Sequence, residues 1–141
     1  MDDPHDLKRF VDAQATTYER ARAELAAGEK QSHWMWFVFP QMKGLGTSAM
    51  AGRYGIASLD EAVAYLAHPV LGPRLVACAR LLLAVQGKTA RQILGSPDDL
   101  KLCSSMTLFE RAAPAEPAFR DVLEKYCAGR RDPKTLALLG R

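Results

Sequence analysis

From Trp34 to Phe39 the chain runs through six consecutive aromatic, β-branched or other apolar residues, Trp34-Met35-Trp36-Phe37-Val38-Phe39. Both tryptophans and four of the eleven aromatic residues fall inside it. Whatever packs around this run therefore gains the largest single block of buried apolar area. By propensity the run reads as a buried strand, but no second stretch of comparable quality exists elsewhere in the sequence. A lone buried strand leaves its amides and carbonyls without partners. The run is therefore expected to be a short, fully buried helix ending before Pro40, with the remaining chain wrapped around it.

The flanking segments are punctuated as helices. Asp3-Pro4 precedes Leu7, Phe10 and Val11 at helical spacing, which predicts a first helix from Pro4 to Ala13. Thr16-x-x-Glu19 offers a capping box for a second helix that stops at Gly28. Ser58-x-x-Glu61 offers another, for a helix ending at His68-Pro69. Leu75, Cys78, Ala79, Leu82 and Leu83 share one face of a long helix closed by Gly87 and expected to run through the centre. Thr89 caps Ala90 to Leu94. Ser96-Pro97-Asp98-Asp99 combines a capping hydroxyl, a proline and two carboxylates at the start of the next helix. Glu116 to Cys127 draws an amphipathic helix, and Asp132-Pro133 opens a last one through Leu139. No period of 20 to 50 residues recurs, which excludes repeat architectures. The expected fold is all-α: a compact, irregular bundle of about eight helices without a strand, forming a single domain over residues 1–141.

Charge and cysteine usage narrow the function classes. The net charge is only +3, and basic residues cluster only toward the C-terminus, at Lys125, Arg130, Arg131, Lys134 and Arg141. That distribution fits a solvated surface, so no nucleic-acid partner is expected. Cys78, Cys103 and Cys127 are far apart, odd in number and set among apolar neighbours, which predicts reduced core thiols. Neither a CxxC nor an HxxxH pair occurs, so neither a metal site nor a cofactor is expected. The longest apolar run, Leu75 to Val85, is broken by Arg80 and too short to span a bilayer, and the acidic N-terminus lacks a signal-like apolar region. A cytoplasmic protein without membrane association is the expectation, with monomer and homodimer both open.

Two segments carry residues suited to chemistry. Gly44-Leu45-Gly46-Thr47-Ser48 has the spacing of a dinucleotide-binding loop, yet Ile56 to Glu61 begins a helix where that fold needs a second strand. The glycines therefore read as a turn. Backbone amides at the Thr47-Ser48 helix start, with Lys43 and Arg53 nearby, still suit an anion. In the second segment, Lys101 to Phe109, Ser104, Ser105 and Thr107 place three hydroxyls within four positions of an apolar sequence. Either they bond back to the preceding turn or they face a polar cavity. Lys101 and Ser104 are one turn apart, the spacing of a lysine-activated serine.

Taken together, His33 to Gln41 with Gly44-Leu45-Gly46, the turn His68-Pro69-Val70-Leu71-Gly72, and Ser96 to Leu102 leading to Ser105-Met106-Thr107-Leu108-Phe109 resemble the bacterial family known as domain of unknown function 1810. The resemblance extends from Asp6-Leu7-x-Arg9-Phe10-Val11 to Asp132-Pro133-x-Thr135-Leu136-x-Leu138-Leu139-Gly140. It implies a compact helical fold and brings no activity with it.

Two readings of function follow. In one, His33, Lys101 and Ser104 are the candidate catalytic groups of a pocket walled by Trp34 and Trp36. Gln41, Lys43, Gly44, Gly46, Ser48 and Ser105 would complete the ligand contacts. Such a pocket would bind, and could hydrolyse, a nucleotide-like or other small anionic metabolite. In the other, the protein is a non-catalytic structural or protein-interaction module in which the Trp-rich segment is core.

Overall fold

The computed structural model describes residues 2–140. Among them the chain forms ten helices: α1 (Lys8–Ala15), α2 (Tyr18–Ala27), α3 (Met35–Val38), α4 (Ala49–Tyr54), α5 (Leu59–Ala67), α6 (Leu71–Ala84), α7 (Ala90–Leu94), α8 (Asp98–Ala112), α9 (Pro117–Tyr126) and α10 (Pro133–Leu138). The number exceeds the expected eight because α3, α4, α7 and α10 are pieces of only four to six residues. The described residues contain no strand. One isolated parallel bridge joins Met42 to Ile56, through Lys43 N–H to the Ile56 carbonyl at 2.8 Å and Ile56 N–H to the Gln41 carbonyl at 2.9 Å. Gly55 permits it, since a Cβ there would stand 2.7 Å from Lys43 Cα.

The Trp-rich run is helical over Met35–Val38, with Trp34 and Phe39 in non-helical conformations at either end, and it is not fully buried. Trp34, Met35, Phe37, Val38 and Phe39 are buried, whereas Trp36 is half-buried. Through α3 the run packs mainly against α1 and α4, so the chain does not wrap around it as expected. The centre is built instead by α8, which packs against α5, α7, α9 and α10, and by α6, which packs against α2, α5 and α9. A line of aromatic rings threads these layers. Phe10 of α1 meets Tyr65 of α5 edge-on at 5.1 Å, Tyr65 meets Phe109 of α8 at 5.3 Å, and Phe109 meets Phe119 of α9 at 6.0 Å between centroids. Each such pair adds about 1 kcal/mol beyond area burial.

Several helix starts differ from expectation. The Asp3 carboxylate accepts from Leu7 N–H at 2.8 Å and Lys8 N–H at 3.0 Å, so Pro4 lies in a turn and α1 begins at Lys8. The Thr16–Glu19 box does not form. Thr17 precedes α2 instead, and its hydroxyl donates to the Ala13 carbonyl at 2.7 Å. Ser58 caps α5 as expected, but the Glu61 carboxylate accepts from Ala57 N–H and from Arg9 rather than closing the box. At α8 the residue before the helix is Pro97, and Ser96 supplies no cap. Thr89, Gly28 and Asp132 act as the sequence predicts.

Candidate functional site

The two tryptophans do different work. Trp34 is buried, and its indole N–H donates to Glu24 Oε1 at 2.8 Å. The same carboxylate accepts from Gln31 N–H, Ser32 N–H and the Ser32 hydroxyl at 2.8, 3.0 and 2.7 Å. Burial opposes ionisation of Glu24, but these four donors together outweigh it and hold the carboxyl down at about 2. Lys30 lies over the Trp34 ring at 5.2 Å and pairs with Asp98 at 3.0 Å. The Trp34 indole N–H, the Glu24 carboxylate and Lys30 are thus all committed to other groups of the protein.

Trp36, two residues on, faces the other way. It lines a narrow crevice with Met35, Phe39, Gln41, Ala51, Tyr54, Gly55 and Lys101. Lys101 Nζ stands 5.6 Å from the centre of the Trp36 ring. Its nearest carboxylate is Asp98 at 3.9 Å, which already pairs with Lys30. No hydrogen bond among the described residues engages the Trp36 indole N–H, the Gln41 carboxamide or Lys101 Nζ. Gly46 adjoins the crevice, since a side chain there would meet Ala51 Cβ at 2.7 Å and Gln41 Nε2 at 3.6 Å. The crevice leaves about 10 Å³ for the centre of a water molecule, room for one water.

The remaining sequence candidates lie elsewhere. His33 is exposed and takes no part in the crevice lining. Ser104 donates to Asp132 Oδ2 at 3.0 Å and bonds back toward the Leu100 carbonyl at 3.4 Å, so Lys101 is not its partner. Ser105 is fully buried, and its hydroxyl has no partner among the described residues. Ser48 caps α4 by accepting from Ala51 N–H at 3.1 Å. Lys43 borders an open depression with Arg9, Arg53 and Glu61. Gly44, at φ 103°, turns the chain beside Leu138. Trp36, Gln41 and Lys101, with Gly46 alongside, are the candidates the fold brings together.

Two comparisons place the chain among known proteins. The model of the DUF1810 family, described as a protein of unknown function, matches residues 4–139. The chain belongs to that family. The conserved hypothetical protein Rv1873 from Mycobacterium tuberculosis, whose crystal structure has been solved, is 58% identical and superimposes with a TM-score of 0.97 over 99% of each chain. None of the curated proteins compared matches. The family is thus one of unknown function with an all-α fold. No single helix among the described residues of this member is long and apolar enough to cross a membrane.

Its cysteines correct the expectation of three reduced core thiols. Cys78 is fully buried and free, and burial pushes its thiol up to about 12. Cys103 and Cys127 form a disulfide with their Cα atoms 5.9 Å apart. It ties the middle of α8 to the end of α9. Both cysteines are half-buried and line a surface groove with Leu100, Ser104, Arg130, Arg131, Asp132, Pro133 and Lys134. Sequence spacing hid the pair because the approach depends on how α8 and α9 pack against one another.

Proposed function

We propose that this DUF1810 member binds a small planar anion, a nucleotide-like or similar metabolite, at the Trp36 face. The observation that carries the reading is the set of three uncommitted polar groups around one half-buried indole: the Trp36 N–H, the Gln41 carboxamide and Lys101 Nζ. Such groups usually satisfy one another or face solvent freely, and here they border an apolar wall of Met35, Phe39 and Tyr54. Because the crevice holds about one water, the planar group stacks at its mouth rather than inside. Lys101 then swings from the indole face toward the anion, and Asp98 keeps its pairing with Lys30. Binding rather than hydrolysis is the supported chemistry, since Ser104 is engaged by Asp132 and His33 lies outside the lining.

The test is a tryptophan-fluorescence titration with adenosine monophosphate, uridine monophosphate and nicotinate as probes. Saturable quenching by at least one probe is expected in the wild type, absent in Trp36→Leu and weakened about tenfold in Lys101→Ala, a loss of about 1.4 kcal/mol. Lys134→Ala, outside the crevice, should leave the affinity unchanged. No saturable quenching by any probe, or equal affinity in Lys101→Ala, overturns the reading.

A further inference from the structure

We propose that the Cys103–Cys127 disulfide is a thiol–disulfide exchange site whose partner is a small anionic thiol, a low-molecular-weight thiol carrying carboxylates, together with its disulfide form. The site is separate from the Trp36 crevice. Lys101 and Cys103 are two positions apart on α8 and therefore point to opposite sides of the helix.

Access comes first. Exposed disulfides are the more labile ones, and both of these cysteines line an open groove of about 460 Å³, a size that accommodates a tripeptide-sized ligand. Charge comes second. The groove is lined by Arg130, Arg131 and Lys134 against the single carboxylate of Asp132. That carboxylate is consumed internally, accepting from the Ser104 and Thr135 hydroxyls at 3.0 and 2.6 Å and from Thr135 N–H at 3.2 Å. Arg131 is likewise committed, to Glu110 and Glu124. Arg130 and Lys134 have no carboxylate within ion-pair distance among the described residues, so the groove that the two cysteines line also carries two free cations. Cations so placed draw in an anionic thiol and favour its thiolate, the attacking form.

The geometry also sets the direction of attack. Cys103 Sγ lies 3.6 Å from the Asp99 carbonyl one turn earlier in α8, an acceptor ready for a thiol S–H. Cys127 stands at the end of α9, three residues before Arg130. The incoming thiolate therefore attacks Cys127 Sγ. The Cys103–Cys127 bond breaks, its electron pair leaves on Cys103 Sγ, and that sulfur takes a proton and donates it toward the Asp99 carbonyl. A second thiolate then attacks the ligand sulfur of the mixed disulfide. This frees Cys127 as a thiol after protonation and releases the ligand disulfide. Two small thiols are oxidised to one disulfide while the protein gains two electrons and two protons, and the reverse sequence reoxidises it. Cys78, sealed in the core, stays outside the exchange.

The experiment uses the full chain purified without reductant. Glutathione serves as the anionic probe, 2-mercaptoethanol as a neutral one and cysteamine as a cationic one, with thiols counted and mixed disulfides followed by intact mass. Glutathione should open the disulfide in the folded protein, with a transient adduct of one glutathione. Its rate relative to that of 2-mercaptoethanol should fall about tenfold in Arg130→Ala/Lys134→Ala. Raising the salt to 0.5 M on the wild type should lower the same ratio, a measurement that depends on no variant. Cysteamine should be the slowest of the three once corrected for thiolate fraction. Free Cys103 and Cys127 in the purified protein, a disulfide inert to glutathione below denaturing conditions, or a rate ratio indifferent to both salt and the double variant would overturn the proposal.

Discussion

Trp34 donates its indole N–H to Glu24 across 2.8 Å, and this bond fastens the Trp-rich segment to α2. Since the folded Glu24 carboxyl sits at about 2 against an ordinary 4.5, ionised Glu24 contributes about 3 kcal/mol to stability. A depressed carboxyl gives this stability in full above its unfolded value and loses it as the pH falls through the folded one. Denaturant unfolding should therefore show a steep stability loss between about pH 4.5 and pH 2. In Glu24→Gln the midpoint at pH 7 should be lower and the decline across that window correspondingly shallower.

Asp98 joins the two lysine–tryptophan pairs, and the two lysines depend on it unequally. Lys30 is 8% exposed with Asp98 at 3.0 Å, while Lys101 is 27% exposed with the same carboxylate at 3.9 Å. Removing the carboxylate leaves a nearly buried ammonium unpaired at Lys30, a cost of about 3 kcal/mol. Asp98→Asn should therefore lower the denaturation midpoint clearly, and Lys101→Ala should change it by less than about 0.5 kcal/mol. Parallel chemical denaturation of the two variants checks both values.

Ser105 invites the opposite kind of test. Its hydroxyl is buried in α8 without a partner among the described residues, so its removal forfeits no hydrogen bond there. Alanine also favours the helix by a few tenths of a kcal/mol. Ser105→Ala should leave stability unchanged or raise it by about 0.5–1 kcal/mol, measured as the thermal midpoint. Gly72→Ala should do the reverse, because its Cβ would stand 2.0 Å from the Leu66 carbonyl oxygen and the α5–α6 turn would have to move. A loss of about 3 kcal/mol is expected there.

The helical class was legible because apolar residues recur at helical spacing between turn signals such as Gly28, Ser58 and Thr89, and because a lone apolar run cannot satisfy a buried strand. The partition of the two tryptophans was legible in principle too. Side chains two positions apart on a helix point about 200° apart, so the expected helix could not wall a single pocket with both tryptophans, although Trp34 in fact stands just before α3. What the sequence withheld were pairings made by tertiary approach. Ser104 meets Asp132 across 28 positions rather than Lys101 across three, and Cys103 meets Cys127 across 24. Local spacing ranks near neighbours first, and in α8 the nearer neighbour points elsewhere. Lys101 and Trp36 are neighbours in the fold, and both segments stood out in the sequence as polar or aromatic anomalies, although nothing local joined them.

The disulfide closes a loop of 24 residues between α8 and α9. Constraining that loop in the unfolded chain is worth about 3.5 kcal/mol on the loop-entropy account. The native ends should nevertheless stay together on reduction, because α8 and α9 share the Phe109–Phe119 contact and the Arg131–Glu110 pair also holds the segment after α9 to α8. Reduction should therefore lower the unfolding free energy by roughly that amount while leaving the far-ultraviolet circular dichroism of the folded state unchanged. Cys103→Ser/Cys127→Ser should match the reduced wild type in both respects. A reduced protein that loses helix content before any denaturant is added would instead mean that the bridge, and not the packing of α8 on α9, holds this part of the fold together.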